Sequence, residues 1–190
     1  MNTANKLTAF RVALIPVFLA IIYLHFPGFE YVALAVFIVA CLTDFADGYI
    51  ARKYDQTTDF GKFIDPLADK VLVLAALSVL TEWGKMPAWA LLAVITREFA
   101  VTALRLAAAD SGRVIAAGIS GKIKTAATMV CICVMLLPVP KFADIICLSV
   151  IITVTVYSGV EYFIKNRDFL RFKQFPGTPS ERSDNNEKDR

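Results

Sequence analysis

Charged residues are scarce in this chain of 190 residues. Asp, Glu, Lys and Arg make up 19% of the sequence, hydrophobic residues make up 57%, and the mean hydropathy is +0.58. This composition excludes an ordinary water-soluble globule, because a chain of this length would need more polar side chains to cover its core. It indicates a protein that is embedded in a lipid bilayer.

The chain has one histidine and four cysteines, and there is little excess of charge of either sign. His25 is the single histidine and lies alone in an expected outer loop, which favours no functional role. The four cysteines, Cys41, Cys131, Cys133 and Cys147, all lie in apolar segments. Packing is the favoured interpretation for them, since metal and disulfide sites need further ligands within reach. The net charge of +3 gives no reason to expect nucleic-acid binding.

Apolar residues are present in six stretches, at 12–24, 31–42, 71–80, 86–106, 125–139 and 142–163. A helix needs about 20 residues to cross the hydrocarbon of a bilayer, and several of these stretches are shorter. The second and third reach this length by including polar flanks, residues 43–52 and 61–70. The sequence therefore predicts an all-α integral membrane protein with six transmembrane helices, two of which carry polar residues at the membrane boundary.

The basic residues predict the orientation of these helices. Lys and Arg are retained on the cytoplasmic side of a membrane. If both termini are cytoplasmic, Lys85 and Lys141 are the two of the 20 basic residues that lie outside. Trp83 and Trp89 flank the first of these outer turns, as aromatic residues at a membrane interface do. We therefore expect a multi-pass protein of the plasma membrane with both termini in the cytoplasm.

The sequence contains no evident internal repeat or second domain. Residues 1–170 are expected to form one six-helix domain. Residues 175–190 are polar, contain two prolines and have no apolar period, which predicts a disordered cytoplasmic tail.

Four of the six aspartates in the stretch TDFADGYIARKYDQTTDFGKFIDPLADK, residues 43–70, lie where apolar segments begin and end. Asp44 and Asp47 are three residues apart, and Asp65 and Asp69 are four apart, so each pair lies on one helix face. The short connection between the two helices makes them antiparallel neighbours, and both pairs can converge. Four carboxylates in a partly dehydrated pocket repel one another and require bound cations. Oxygen ligands favour hard ions such as Mg²⁺, Mn²⁺ or Ca²⁺, and four carboxylates suit two of them.

Small residues accompany the aspartates. Gly48 and Ala51 follow Asp44 at helical offsets of four and seven, and Gly61 precedes the second pair by four, so a groove lies beside each acidic face. Arg52 next to this groove suits a phosphate, because its planar guanidinium can donate two parallel hydrogen bonds. A single aspartate at a helix end is more often a cap or a solvated residue. That interpretation does not explain the complete pattern.

The pattern D-x2-D-G-x2-A-R-x8-G-x3-D-x3-D is complete between residues 44 and 69. It resembles the signature of the CDP-alcohol phosphatidyltransferase family, the integral membrane enzymes of phospholipid synthesis. The resemblance implies six transmembrane helices, a cytoplasm-facing site and a homodimer. It implies two divalent cations, Mg²⁺ or Mn²⁺, on the diphosphate of a CDP-linked lipid, held by Asp44, Asp47, Asp65 and Asp69. It places around the cytidine nucleotide Gly48, Ala51, Arg52 and Gly61. Asp69 would also be the general base.

Basic residues outside the signature bear on the acceptor. Three or more cations facing four carboxylates favour an anionic acceptor, most simply a phosphorylated polyol. The segments N-x2-T-x2-R, R-E-F-A-V-T-A-L-R and G-K-I-K-T resemble the branch of the family that uses CDP-diacylglycerol and glycerol 3-phosphate, giving phosphatidylglycerol phosphate and CMP. With that branch, the residues assigned to the acceptor phosphate are Arg113, Lys122 and Lys124. Supporting roles are assigned to Asn5, Thr8, Arg11, Thr43, Arg97 and Arg105.

The basic residues also have a simpler interpretation. Arg113 and Lys122 are equally well explained as markers of the cytoplasmic side. Arg97 lies deeper in its span, where an ionisable residue is by default functional or paired, here with Glu98 or an aspartate.

Other functions remain open at this point. Within the family, the acceptor could be an inositol phosphate or phosphatidylglycerol. From another class, a small cation transporter could use intramembrane aspartates as its ion site, with carboxylates near the bilayer midplane and no release of CMP. A purely structural scaffold would leave the acidic cluster unexplained.

Overall fold

The computed structural model of the protein describes residues 3–54, 59–110 and 118–167, and side chains over 10–43, 70–108 and 118–167. In these ranges the chain forms six α-helices and no strand. The helices are α1 (Thr3–Leu24), α2 (Phe29–Tyr54), α3 (Asp59–Glu82), α4 (Ala88–Asp110), α5 (Ile119–Leu136) and α6 (Lys141–Lys165). The predicted all-helical fold is confirmed over this part of the chain. The predicted tail, residues 175–190, lies outside it.

The helices have the lengths that a bilayer requires. They contain between 18 and 26 residues, or about 27–39 Å at 1.5 Å per residue, and the hydrocarbon core is about 30 Å thick. α2 continues through its polar flank to Tyr54, and α3 begins at Asp59. The prediction that these two helices include their polar flanks is therefore confirmed.

Large apolar side chains are exposed on the outside of the bundle. Among the described residues, α5 and α6 are long and apolar enough to cross a membrane, and Phe10–Leu24 and Phe29–Thr43 are shorter apolar helical segments. In the most apolar 18 residues of α5 and of α6, 33% and 28% of the residues are buried. The core helix of a soluble protein would be mostly buried, whereas these helices present most of their apolar surface outwards, as a lipid-facing surface does.

The core of the bundle combines small and aromatic residues. α1 packs against α2 and α3, α5 packs against α6 and α2, and α4 packs against α6 and α3. Ala33, Ala76 and Ala90 are fully buried where the helices meet, and such small residues let helix backbones approach closely. Phe18 of α1 and Phe37 of α2 fill the adjoining space, with ring centroids 6.1 Å apart.

The turn between α3 and α4 ends α3 in a Schellman motif. The N–H of Gly84 donates to the carbonyl of Thr81, and the N–H of Lys85 donates to the carbonyl of Leu80, both at 3.0 Å. Gly84 has a φ of 70°, which glycine adopts without the strain that a β-carbon would cause. Trp83 and the exposed Trp89 lie on either side of this turn, as predicted.

Lys85 joins this turn to the end of α5. Its Nζ donates to the carbonyl of Met135 at 2.6 Å and to that of Leu137 at 2.8 Å, where a cation is favoured by the helix dipole. The Tyr23 hydroxyl donates to Glu82 Oε2 at 2.6 Å and joins α1 to α3. The C-terminal ends of α1, α3 and α5 therefore lie together. We call this end of the bundle, defined by Tyr23, Glu82, Lys85 and Leu137, the turn end.

Candidate active site

The four aspartates lie in helical backbone at the opposite end of the bundle. Asp44 and Asp47 belong to α2, and Asp65 and Asp69 belong to α3. Each pair therefore has the helical spacing that the sequence predicted, and α2 and α3 contact each other. We call this end, which contains the four aspartates, the aspartate end. For the four aspartates, the structure describes the helical backbone but not the side chains. The same holds for the residues assigned to the nucleotide, Gly48, Ala51, Arg52 and Gly61.

The other predicted residues fall into two groups, those whose side chains the structure describes and those whose side chains it does not. Arg113, and the side chains of Asn5 and Thr8 on α1, lie outside the described residues. Of the remaining ones, Arg11 is fully buried on α1. The Thr43 hydroxyl donates to the carbonyl of Ala40 at 2.7 Å within α2.

A cluster of polar side chains joins α3, α4 and α5 directly after the last aspartate. Glu98 Oε1 of α4 accepts from Lys124 Nζ of α5 at 2.5 Å and from Arg97 Nη1 at 3.0 Å. The Thr102 hydroxyl donates to the backbone carbonyl of Glu98 at 2.7 Å and accepts from Lys70 Nζ of α3. We call these five residues the Glu98 cluster. It ties three helices together at the aspartate end.

Burial makes the pairing in this cluster necessary. The side chains of Lys124, Arg97 and Glu98 are 4%, 12% and 17% exposed. Charges buried this far are costly unless they are paired and hydrogen-bonded. The prediction that Arg97 is paired, with Glu98 or an aspartate, is confirmed for Glu98, since the two form an ion pair at 3.0 Å. Lys124, which the sequence assigned to the acceptor phosphate, is bound to the same carboxylate oxygen.

A cavity of about 30 Å³ lies among these side chains. Its polar wall contains Lys70, Glu98, Lys124, Thr125 and Thr128. The Thr128 hydroxyl is buried and has no hydrogen-bond partner among the described atoms. The space is sufficient for a water molecule and too small for a phosphorylated polyol. In this arrangement Lys124 therefore binds Glu98, and an acceptor must approach the cluster from outside the cavity.

Two glycines make room for Arg97. A β-carbon at Gly121 of α5 would lie 3.8 Å from Arg97 Nη2, and one at Gly159 of α6 would lie 3.4 Å from Arg97 Cγ. The side chain thus passes close to both helices, and its buried Nε has no hydrogen-bond partner in the described part of the chain. The sequence contained the first glycine in G-K-I-K-T, but it carried no signal that connects Gly159 with this site.

Arg105 and Lys122 differ in their surroundings. The guanidinium of Arg105 lies 5.6 Å from the ring centre of Tyr162 on α6, in a cation–π contact. The Tyr162 hydroxyl and the Arg105 Nε are both buried without a hydrogen-bond partner among the described atoms. Lys122, by contrast, is exposed. The contact partners of Arg97 and Arg105 on α6 could not be identified from the sequence, because they lie more than fifty residues away along the chain.

No group of three or more His, Cys, Asp or Glu side chains in the described ranges is placed to hold a metal ion. None of the four cysteines, all of which lie in these ranges, forms a disulfide. The donor set that suits a metal is that of the four aspartates, because carboxylate oxygens are the ligands that hard divalent ions prefer. The support for the predicted metal site is therefore the helical spacing of the four aspartates on α2 and α3 and the ligand chemistry of their carboxylates.

A helical bundle with an apolar exterior and buried charged side chains is typical of membrane enzymes and of transporters. Comparison with known proteins distinguishes these classes. The profile of the family described as CDP-alcohol phosphatidyltransferase matches residues 1–157. This chain belongs to the CDP-alcohol phosphatidyltransferase family, as the signature predicted.

Three relatives show how far the similarity extends. The CDP-diacylglycerol–glycerol-3-phosphate 3-phosphatidyltransferase of Bacillus subtilis (strain 168) is 45% identical over an alignment of 189 positions. The alignment covers 90% of this chain and 97% of that protein. A probable phosphatidylglycerophosphate synthase of Mycobacterium tuberculosis (strain H37Rv) is 41% identical, covering 85% of this chain and 79% of that one. The Escherichia coli (strain K12) enzyme with the same name as the Bacillus protein is 37% identical, covering 85% and 92%.

Proposed function

We propose that this chain transfers the phosphatidyl group of CDP-diacylglycerol to glycerol 3-phosphate, giving phosphatidylglycerol phosphate and CMP. The observation that carries the proposal is the similarity, over most of both chains, to proteins named for this reaction. The complete eight-position signature supports the CDP-linked donor. The concentration of basic side chains at the aspartate end supports an acceptor that carries a phosphate.

The roles of the chain's own residues follow from the reaction. The acceptor hydroxyl attacks the phosphorus attached to diacylglycerol, and the bond between that phosphorus and the oxygen of CMP breaks. Asp69 takes the proton of the attacking hydroxyl. Arg52, with the small residues Gly48, Ala51 and Gly61, holds the cytidine nucleotide. Arg113, Lys122 and Lys124 bind and orient the acceptor phosphate, supported by Asn5, Thr8, Arg11, Thr43, Arg97 and Arg105.

Two divalent cations, Mg²⁺ or Mn²⁺, complete the proposed site. Their ligands are Asp44, Asp47, Asp65 and Asp69, from facing helices. When bound, such ions polarise the phosphoryl oxygens and stabilise the charge on the departing CMP. Without a bound cation, four carboxylates in one site repel one another, so the aspartates themselves support the presence of metal.

The proposed reaction takes place at the inner face of the plasma membrane. All six helices cross the bilayer, and both termini and the aspartate end face the cytoplasm. The distribution of basic residues supports this orientation, and the exposed apolar side chains support contact with lipid. The donor's acyl chains then stay in the bilayer while its head group meets a soluble acceptor. We further propose that the protein acts as a homodimer.

The acceptor is tested with the protein purified in detergent or reconstituted in vesicles. CDP-diacylglycerol and Mg²⁺ are supplied with radiolabelled glycerol 3-phosphate, inositol phosphate or phosphatidylglycerol, and both the lipid product and released CMP are measured. We expect labelled phosphatidylglycerol phosphate and an equal amount of CMP with glycerol 3-phosphate. Product from another acceptor in place of this one, or none from glycerol 3-phosphate, would contradict the proposal.

A further inference from the structure

We propose that Glu98 is a positioning residue for the acceptor step, whose carboxylate holds Lys124 and Arg97 in the arrangement that binds the acceptor phosphate. This inference rests on the proposed function. Glu98 has no assigned role in that function, and its contact with Lys124 joins residues 26 positions apart.

The first argument is the sharing of one oxygen atom by two cations from different helices. Lys124 Nζ and Arg97 Nη1 both donate to Glu98 Oε1, at 2.5 Å and 3.0 Å. Without the carboxylate, two buried positive groups would lie near each other in a medium of low dielectric constant and repel. The long lysine side chain would then move to another partner or towards water. Glu98 therefore fixes the distance between two cations that an acceptor phosphate could bind.

The second argument is the way in which α4 is attached to the bundle. Its main helix neighbours are α6 and α3, and a cavity of about 30 Å³ lies between Glu98 and the α5 residues Lys124 and Thr128. Side chains therefore carry the connection from α4 to α5 across this gap. Loss of the ion pair would let the start of α5, which contains the assigned acceptor residues, shift relative to α4.

The third argument connects the same residue to the predicted general base. The Glu98 carbonyl accepts from Thr102, whose hydroxyl accepts from Lys70. Lys70 follows Asp69 directly on α3. Contacts of the Glu98 side chain and backbone thus join the cations of α4 and α5 to α3, the helix that carries Asp69. This connection would hold the bound acceptor so that its hydroxyl lies near the base.

The test separates acceptor affinity from the other properties of the enzyme. For Glu98→Gln, which keeps the shape and removes the charge, the Kd of glycerol 3-phosphate is measured by calorimetry on the purified protein with Mg²⁺. The KM of each substrate and kcat are measured from CMP release. We expect the Kd and KM of the acceptor to rise about tenfold, which is 1.4 kcal/mol, while the KM of CDP-diacylglycerol changes less than twofold.

A double-mutant cycle tests whether Glu98 acts through Lys124. In a Lys124→Met background, Glu98→Gln should raise the acceptor Kd less than threefold, because one of the two cations that it positions is already gone and only the effect through Arg97 remains. A full tenfold effect in that background would overturn the inference. So would equal increases in the KM of both substrates, which a merely structural role produces.

The matched control is Glu161→Gln. Glu161 forms an ion pair with Lys165 and a hydrogen bond with Ser120 at the start of α5, but it contacts neither Lys124 nor Arg97. Because glutamine can still bind Ser120, this variant should leave the acceptor Kd within twofold of wild type. If Glu98→Gln does not fold, Glu98→Asp keeps the charge but shortens the reach, and an acceptor Kd unchanged in that variant would overturn the inference. Wild-type protein that binds no glycerol 3-phosphate would contradict the proposed function itself.

Discussion

The two ends of the bundle use charged side chains for different purposes. At the turn end, Lys85 donates to two carbonyls at the end of α5 and lies 3.9 Å from Asp144, and Tyr23 donates to Glu82. These contacts join the end of α1 to the end of α3, and the α3–α4 turn to the end of α5. At the aspartate end, the Glu98 cluster combines three cations with one carboxylate, and the side chains of Lys124 and Arg97 in it are 4% and 12% exposed. Two of the arginines there retain a buried Nε without a partner among the described atoms.

The difference indicates which end carries function. Polar contacts at the turn end complete the hydrogen bonding of helix ends, which a folded bundle needs in any case. Polar residues at the aspartate end are more numerous than helix capping requires, and ionisable residues within a membrane span are by default functional. Changes at the aspartate end should therefore affect activity, and changes at the turn end should affect stability.

Removal of divalent ions should have the largest effect. EDTA is expected to reduce CMP release about a thousandfold, because bound ions stabilise the transferring phosphoryl group by several kcal/mol. An excess of Mg²⁺ or Mn²⁺ should restore the rate. CMP release in the presence of glycerol 3-phosphate that persists in EDTA would show that the aspartate end does not depend on metal.

Asp69→Asn should reduce kcat by about 10²–10⁴-fold, the range that a positioned general base contributes. The variant should still bind CDP-diacylglycerol, which can be measured by calorimetry. Asp59→Asn, on the same helix but outside the signature, is the matched control and should keep its kcat within twofold. Equal kcat values for the two variants would remove Asp69 from its proposed role.

Gly159→Leu should raise the acceptor KM about tenfold, since overpacking costs about 1–3 kcal/mol and Arg97 would have to move. Gly159→Ala is the control, because a β-carbon there lies 3.4 Å from Arg97 Cγ, an ordinary contact. Alanine in a helix should also keep or raise the Tm. An acceptor KM unaffected by leucine would show that the position of Arg97 has no effect on acceptor binding.

Lys85→Met should lower stability and leave activity unchanged. The variant loses two hydrogen bonds to α5 carbonyls, at a cost of about 1–3 kcal/mol, and the Tm in detergent should fall by several degrees while kcat/KM stays within twofold. Lys141→Met, at the exposed start of α6, should change neither quantity. A large loss of kcat/KM at unchanged Tm would contradict the separation of the two ends.

Gly84→Ala should have the smallest effect. No atom lies within 4 Å of a β-carbon at this position, so the cost arises from the φ of 70° alone and is about 1–2 kcal/mol. Gly84→Asn should cost less, because asparagine adopts this conformation more readily. The two Tm values, compared with wild type, measure this cost. Equal stability of the alanine variant would show that the Schellman turn does not require glycine.

Much of the fold could be predicted because its signals are local. Apolar stretches and their polar flanks predicted six helices, and α2 and α3 include those flanks as expected. The tryptophans flank the α3–α4 turn, and Arg97 is paired with its neighbour Glu98. These features depend on residues that are close in sequence, where helical spacing alone fixes which side chains are near each other.

Features that join distant residues could not be predicted in the same way. Lys124 was assigned to an acceptor phosphate from its charge and from the resemblance of G-K-I-K-T to one branch of the family, and in the structure it binds Glu98 of another helix. Gly159 was not singled out, although it lies against Arg97.

The sequence by itself determined the six helices of the described ranges, the acidic signature on α2 and α3, and the family to which the chain belongs. The tertiary structure alone decided that α3, α4 and α5 meet at Glu98, and that Arg97 lies beside glycines of α5 and α6. The reason is that helical periodicity specifies which face of a helix is polar or apolar. Which helices those faces meet depends on the packing of the whole bundle.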